Sequence, residues 1–236
     1  MSSIIAENLA FIRERMREAC LRAGRNPSDV RLVGVTKTVP VDLIREGVAA
    51  GIAILGENYV QEARRKAEAL AGLGVSWHFI GHLQSNKAKH ALECCDLIQT
   101  VDRESLAKTL GLLAEKLGRE IPVLIQVNVG DEESKSGVHP EGLVPLFRAV
   151  SAMDGLDVRG LMTLPPYCED PERGRPFFRK LRELLEQIRE HAARPERIVE
   201  LSMGMSHDYE AAIEEGATLV RIGTALFGTR PASRDR

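Results

Sequence analysis

Short apolar runs alternate along the chain with longer segments whose apolar residues recur at helical spacing. The first run, Leu32, Val33 and Val35 within RLVGVTKTVP, ends in polar residues and is closed by Pro40, a pattern typical of a buried strand. The whole pattern predicts strands near residues 32–35, 52–55, 77–80, 97–101, 122–129, 158–164, 198–202 and 219–222, and helices near residues 4–23, 41–50, 60–70, 88–92, 103–117, 143–153, 172–192 and 207–215. Regular alternation of this kind predicts a (β/α)8 TIM barrel, whereas an open doubly wound sheet, the structural alternative, usually needs fewer repeats.

No internal linker or low-complexity run interrupts this alternation. We therefore expect one domain over residues 1–230, followed by a disordered polar tail over residues 231–236. Within the domain, Asp102 is a good N-cap for the fifth helix, with Ser105 at the third position, and Gly118 marks the end of that helix.

Composition and charge narrow the classes of function. The chain of 236 residues has a net charge of −2, which favours neither nucleic acid nor an anionic membrane as a partner. No apolar run approaches the ~20 residues of a membrane span, and we expect no secretory signal. The four cysteines lack C-x-x-C spacing and form no ligand-spaced cluster with the six histidines, so we expect reduced thiols, a cytoplasmic location and no bound metal.

Lys37 follows the first predicted strand, and the carboxyl ends of the strands are where parallel barrels carry their chemistry. A lysine amine becomes a nucleophile at neutral pH only where desolvation or nearby charge lowers a pKa that starts near ~10.4. In such a place it forms a Schiff base with a carbonyl compound or with pyridoxal phosphate. From this segment alone the alternative stays open that Lys37 leaves the strand and points into solvent.

Two further loops carry residues suited to binding phosphate. SMGMS, residues 202–206, follows the seventh strand, and RIGT, residues 221–224, ends the eighth, and each leads into a helix. Glycine allows the backbone to approach a ligand closely, while Ser, Thr and free N–H groups at a helix start bind phosphate oxygens. The loops after strands seven and eight form the usual phosphate site of a TIM barrel. Helix N-caps explain both loops without any ligand, so that alternative also stays open.

Arg221 would constrain any pyridine ring bound beside it. A guanidinium stays charged and offers only hydrogen-bond donors, so a ring nitrogen that faces Arg221 must be an unprotonated acceptor. The ring is then a weaker electron sink than a pyridinium would be. The alternative for Arg221 is a salt bridge to one of the many carboxylates of the chain.

Five stretches together resemble one known family: VGVTKTVP, GENYVQEA, HFIGHLQSNK, GLMTLPP and LSMGMSHDYEAAIEEGATLVRIGTALFG. They are similar to the pyridoxal phosphate homeostasis proteins, which are single-barrel relatives of the alanine racemase N-terminal domain. The resemblance extends from about residue 4 to residue 228. It implies that pyridoxal phosphate is the cofactor, that Lys37 is the Schiff-base lysine and that Arg221 contacts the ring nitrogen.

The same resemblance implies further cofactor contacts. These are Ser202, Gly223 and Thr224 around the phosphate, with Ser206 in the same loop, and Asn58 and Met162 beside the ring. His82 is a departure, because many relatives have proline at this position. Its imidazole could reach the site and titrate near neutral pH, or it could be a solvated loop histidine.

Two functions of different classes fit the resemblance. The first is a carrier with no robust reaction of its own, which holds pyridoxal phosphate as a reversible imine for storage, protection or delivery to apo-enzymes. The second is an amino-acid racemase, which needs acid/base groups on both faces of the substrate carbanion. In the racemases a tyrosine from an additional domain supplies the second group, and none of Tyr59, Tyr167 and Tyr209 is an evident replacement. The carrier is therefore favoured, and we expect it to be a monomer. A phosphosugar enzyme with Lys37 as an aldolase-type nucleophile fits the fold but leaves Arg221 unexplained.

Overall fold

Parallel strands form the centre of the molecule. The computed structural model describes residues 3–132 and 136–228, and within them each strand pairs with the next while β8 pairs with β1, which closes the barrel. The strands are β1 (Arg31–Val35), β2 (Ile54–Glu57), β3 (Ser76–Phe79), β4 (Leu97–Val101), β5 (Ile121–Gln126), β6 (Leu156–Met162), β7 (Glu200–Ser202) and β8 (Leu219–Ile222). The predicted (β/α)8 barrel is confirmed, and the β1–β8 pairing excludes an open sheet. The predicted tail at residues 231–236 lies outside the described residues.

Helices surround the barrel, with α1 ahead of β1 and the others following the strands. They are α1 (Ile4–Arg22), α2 (Val41–Ala49), α3 (Val60–Ala69), α4 (Ala88–Leu92), α5 (Glu104–Leu117), α6 (Leu143–Ser151), α7 (Arg175–Arg189), α8 (Tyr209–Glu214) and α9 (Thr224–Phe227). Within the described part of the chain, none of them is both long and apolar enough to cross a membrane.

Two apolar clusters stabilise this arrangement. The main one lies between the helices and the barrel, and α7 shows why: its polar sequence carries one apolar stripe, buried at Phe178, Leu181, Leu184, Leu185 and Ile188. A smaller cluster takes one residue from each of several different strands, an arrangement that the interior of a barrel allows. Its members are Val33, Ile54, Leu97, Leu124, Met162 and Leu219.

Several predicted strand boundaries were wrong by a few residues. β2 is Ile54–Glu57 rather than 52–55, β5 ends at Gln126 rather than at 129, and β6 is Leu156–Met162 rather than 158–164. The reason is that apolar side chains beside a strand are buried too: Ile52, two residues before β2, is 3% exposed. The apolar run in the sequence therefore extends beyond the hydrogen-bonded residues of the strand.

The ends of two helices also differ from the prediction. The N-cap of α5 is Arg103 rather than Asp102, because the backbone is still extended at Arg103 and the helix begins at Glu104. The Asp102 carboxylate forms an ion pair with Arg103 instead of capping the helix. At the other end Gly118 adopts the left-handed conformation, with φ of 65°, as predicted. The helix predicted from residue 172 begins as a 3-10 turn, Pro171–Gly174, before α7.

Candidate functional site

A cavity of about 560 Å³ opens at the carboxyl ends of the barrel strands. Its size falls in the range of roughly 300–1,000 Å³ that is usual for small-molecule sites. Because the closed barrel brings the ends of β1, β2, β7 and β8 together, residues far apart in sequence share this cavity. The predicted site residues that line it are Lys37, Asn58, Ser206, Arg221, Gly223 and Thr224.

Lys37 is half-buried and lies at one wall of the cavity. It occupies the middle of a turn, residues 36–38, that leads from β1 toward α2, and we call this segment the Lys37 turn. Thr36 is fully buried, and its N–H donates to the carbonyl of Gly56 at 3.0 Å. Thr38 has φ of 63°, a left-handed conformation that is rare for a β-branched residue. The backbone therefore adopts a defined conformation on both sides of Lys37.

Arg221, on β8, forms another wall and is 3% exposed. Its terminal nitrogens donate to neutral partners, the Ser202 hydroxyl at 2.6 Å and the Thr163 carbonyl at 2.7 Å. Burial lowers the pKa of Arg221 to about 10, partly offset by the charge of Asp208, so the guanidinium is charged at neutral pH. The structure does not support the salt-bridge alternative. A buried cation held by neutral groups suits an electron-rich acceptor placed in the cavity.

A chain of hydrogen bonds runs from Arg221 into the barrel interior. Ser202 accepts from Arg221, and its own hydroxyl donates to Oε1 of Gln99 at 2.6 Å. The Gln99 amide then lies 2.9 Å from Nδ1 of His78. Because arginine can only donate, every bond in the chain has a set direction, and Nδ1 of His78 must accept. Burial is the main cause that lowers the pKa of His78 to about 4, which agrees with a neutral ring.

The loops after β7 and β8 meet at the Ser206 hydroxyl. Its oxygen lies 3.3 Å from the Gly223 nitrogen, 3.3 Å from Oγ1 of Thr224 and 3.4 Å from the Ala225 nitrogen. These donors all point to one oxygen at the start of α9, and their bonds are long. A phosphate group placed beside Ser206 could accept from these donors in its stead, and we call Ser206, Gly223, Thr224 and Ala225 the cradle.

Three predicted site residues do not line the cavity. Ser202 and Met162 are fully buried inside the barrel, Met162 within the small apolar cluster and Ser202 behind Arg221. Ser202 therefore contacts Arg221, which lines the cavity, but does not face the cavity itself. A residue that bound the phosphate directly would have to face the cavity. His82 has a side chain that is 52% exposed and lies 3.1 Å from the Ser136 hydroxyl, on the surface.

Other features of the site leave no recognisable pattern in the sequence. A Cβ added at Gly81 would lie 2.2 Å from the carbonyl oxygen of Asn58, so glycine is needed for the β3 loop to pass this cavity residue. Tyr167 and His207 also line the cavity, with ring centroids 4.8 Å apart. In a sequence, a glycine after a strand indicates that the backbone passes close to another part of the protein. Only the fold shows which residue lies there.

The closed barrel and the cavity at its strand ends define the class: a (β/α)8-barrel protein with a small-molecule site beyond the carboxyl ends of the strands. Residues 5–231 match the model of the alanine racemase N-terminal domain family. The pyridoxal phosphate homeostasis protein of Aquifex aeolicus is 50% identical over 226 residues, which is 95% of this chain and 97% of that protein. The chain therefore belongs to the alanine racemase N-terminal domain family, and within it to the pyridoxal phosphate homeostasis proteins.

Solved structures agree with this assignment. PipY of Synechococcus elongatus, solved with PLP (pyridoxal phosphate) bound, has a TM-score of 0.81 and 38% identity, with 95% of this chain and 100% of that chain covered. An alanine racemase of Clostridium difficile has a TM-score of 0.72 at 15% identity, covering 96% of this chain but 57% of that chain. At that identity the likeness to the racemase concerns the barrel fold alone.

Proposed function

We propose that this protein binds pyridoxal phosphate in the cavity and acts as a carrier in cofactor homeostasis. The observation that carries the proposal is the combination in one cavity of the Lys37 amine, a buried guanidinium with neutral partners and a cradle of donors aimed at one oxygen. An aldehyde, a basic ring nitrogen and a phosphate on one ligand match these three features. The relative solved with PLP bound supports the same ligand.

Each residue has a distinct role in this proposal. When bound, the cofactor supplies an electrophilic aldehyde on an electron-withdrawing ring. Lys37 would present its amine to that aldehyde. Thr224 and Ser206, together with the N–H of Gly223, would hold the phosphate. Arg221 would donate to the ring nitrogen and, because it keeps its own protons, would leave that nitrogen unprotonated.

The racemase alternative needs a second acid/base group, and none of the three tyrosines offers one at a fixed position in the cavity. Tyr59 and Tyr209 do not line the cavity, and Tyr209 is buried on α8. Tyr167 lines the cavity, but this residue is 73% exposed and its ring packs against His207. The Aquifex aeolicus relative is named for homeostasis rather than for a reaction. These observations favour a carrier and leave amino-acid turnover unsupported. We propose further, as the sequence predicts, that the carrier works as a monomer in the cytoplasm and passes the cofactor to apo-enzymes.

Borohydride reduction tests the covalent link. Protein loaded with pyridoxal phosphate and reduced should carry the cofactor on Lys37 in a peptide map, and Lys37→Ala should abolish the adduct. Lys87→Ala, at a half-buried lysine outside the cavity lining, is the matched control and should keep the adduct. An adduct mapped to Lys87 would contradict the assignment.

Hydrogen exchange separates carrier from racemase. Loaded protein incubated with L-alanine in deuterated water should show no α-hydrogen exchange approaching the ~10 s⁻¹ typical of enzymes, because each missing acid/base group reduces a rate by roughly 10²–10⁴. Stoichiometric transfer of cofactor to an apo-enzyme in the same preparation would support the carrier. Rapid exchange would overturn it and direct attention to Tyr167.

A further inference from the structure

A buried lysine that does not line the cavity lies behind the Lys37 turn. Lys66, on α3, is fully buried, and its Nζ donates to the Thr36 carbonyl at 2.6 Å, to Oε1 of Glu57 at 2.6 Å and to Oε2 of Glu62 at 2.7 Å. These acceptors use all three N–H bonds of an ammonium group, so the nitrogen has no lone pair for nucleophilic attack. We call Lys66, Glu57 and Glu62 the Lys66 cluster.

The cluster holds the Lys37 turn on both sides of its lysine. On one side the Thr36 hydroxyl donates to Oε1 of Glu57 at 2.7 Å, in addition to the bond that its carbonyl accepts. On the other side the N–H of Thr38 donates to Oε2 of Glu62 at 2.9 Å. Because the left-handed conformation of Thr38 is unfavourable, this bond stabilises a shape that the turn alone would not keep.

The cluster sets one lysine against two carboxyl groups inside the protein. Burial raises the pKa of Glu57, against the opposing hydrogen bonds from Lys66 and Thr36. Burial acts in the same direction on Glu62, but hydrogen bonds from Lys66 and from the Thr38 N–H outweigh it and lower the pKa of that carboxyl. Buried ion pairs add little net stability, because desolvation cancels most of their attraction. Stability alone therefore does not account for a cluster whose bonds converge on the Lys37 turn.

We propose that the residues of the Lys66 cluster are positioning residues, which hold the amine of Lys37 at the cavity for covalent capture of the cofactor aldehyde. The inference rests on the proposed function. In the covalent step the Lys37 nitrogen forms a double bond to the aldehyde carbon, and the aldehyde oxygen leaves as water with the two protons of the amine. The cluster exchanges no proton in this step. It fixes the backbone on each side of the attacking nitrogen, which raises the effective concentration of the amine.

Capture of the aldehyde and binding of the phosphate depend on different parts of the chain. The cluster comes from β2 and α3, whereas the cradle comes from the loops after β7 and β8. Loosening the Lys37 turn should therefore weaken capture of the aldehyde and leave binding of the phosphate unchanged. Pyridoxine 5′-phosphate, which has an alcohol in place of the aldehyde, separates the two because it can fill the cradle but cannot bond to Lys37.

The test measures binding of both ligands to variants that are folded at the temperature used. Glu62→Ala, at a half-buried position, removes the acceptor for the Thr38 N–H, and Lys66→Met removes the buried cation. We expect affinity for pyridoxal phosphate to fall about tenfold or more, and affinity for pyridoxine 5′-phosphate to change less than about twofold. Glu62→Gln retains an oxygen acceptor and should restore most of the loss. Glu68→Ala, at an exposed position of α3, is the matched control and should change neither affinity.

Equal losses for both ligands in Glu62→Ala would overturn the inference, because the cluster would then support the fold as a whole. Unchanged affinity for pyridoxal phosphate in that variant would also overturn it. If Lys66→Met does not fold, Glu62→Ala decides alone. Failure of the proposed function is distinguishable: the wild-type protein would bind pyridoxal phosphate no more tightly than the alcohol, and no reduced adduct would form on Lys37.

Discussion

Replacing His78 with glutamine tests the hydrogen-bond chain behind Arg221. His78 lies on β3, is 5% exposed and accepts from the Gln99 amide on Nδ1. Burial, and after it the positive charge of Arg31, lower the pKa of the imidazole from 6.5 to about 4, against the opposing charge of Asp96. Glutamine keeps an amide oxygen that can accept the same bond but has no proton to gain.

This lowered pKa should make the wild-type protein sensitive to acid. Above pH 6.5 the ring is neutral in the native and unfolded chains, so its titration contributes nothing to stability. As the pH falls from 6.5 toward about 4, the unfolded chain gains a proton that the native state excludes, and the free energy of unfolding drops. At ~1.36 kcal/mol for each tenfold change in proton affinity, the loss approaches about 3 kcal/mol, and most of it is reached near pH 4.5.

Urea unfolding of the wild type and His78→Gln, at about pH 7 and about pH 4.5, measures this loss. Between these two pH values the wild type should lose about 2–3 kcal/mol more of its unfolding free energy than the variant loses. Carboxylates that titrate in the same range affect both proteins and cancel in the difference. A difference that stays constant would refute the reasoning, because His78 would then titrate alike in the native and unfolded states.

Three further substitutions test the walls of the cavity. Thr224→Ala should weaken binding of pyridoxal phosphate about tenfold or more and leave binding of unphosphorylated pyridoxal nearly unchanged, since a hydrogen bond to a charged group contributes ~1.5–3 kcal/mol; equal losses would remove Thr224 from the cradle. Ser202→Ala should weaken binding of both ligands alike in the same titrations, because it removes a hydrogen-bond partner of Arg221 and no contact with the phosphate. A loss confined to the phosphorylated ligand would contradict the position of Ser202 behind Arg221. Gly81→Ala should destabilise the protein to urea by about 1–3 kcal/mol or more, because its Cβ would overlap the Asn58 backbone; unchanged stability would show that the loop can shift.

The fold could be predicted from the sequence because its signal is local. Apolar runs and amphipathic segments each reflect burial of one element, and their alternation along the chain specifies the barrel. The places of Lys37 and Thr224 just after β1 and β8 make them candidates, because any barrel presents such side chains at the same end. Their roles as Schiff-base lysine and phosphate contact come from the family resemblance, because position alone leaves a solvent-exposed lysine and a helix N-cap open.

The sequence does not show whether a side chain at a strand end points into the barrel interior or reaches the cavity. Strands of a barrel are buried on both faces, so hydrophobicity does not tell which side chain points inward. Ser202 ends β7 and points into the interior, whereas Ser206, four residues on, reaches the cavity. The contact between Lys66 and Thr36 joins α3 to the end of β1 through a fully buried lysine. Half of the residues of α3 are charged, and nothing in its sequence marks this one lysine as buried.

The pairing of β8 with β1 has a consequence for when the site can exist. The register Arg31↔Leu219 to Gly34↔Ile222 joins β1 to β8, and the ribosome makes β8 after all of β1 to β7. Lys37 emerges with the first strand, whereas the N–H groups of the cradle emerge with the last one. While the chain is being made, Lys37 is therefore present before the residues proposed to hold the phosphate. The proposed site can bind the cofactor only after β8 has been made and has paired with β1, so loading draws on the cofactor present from that point on.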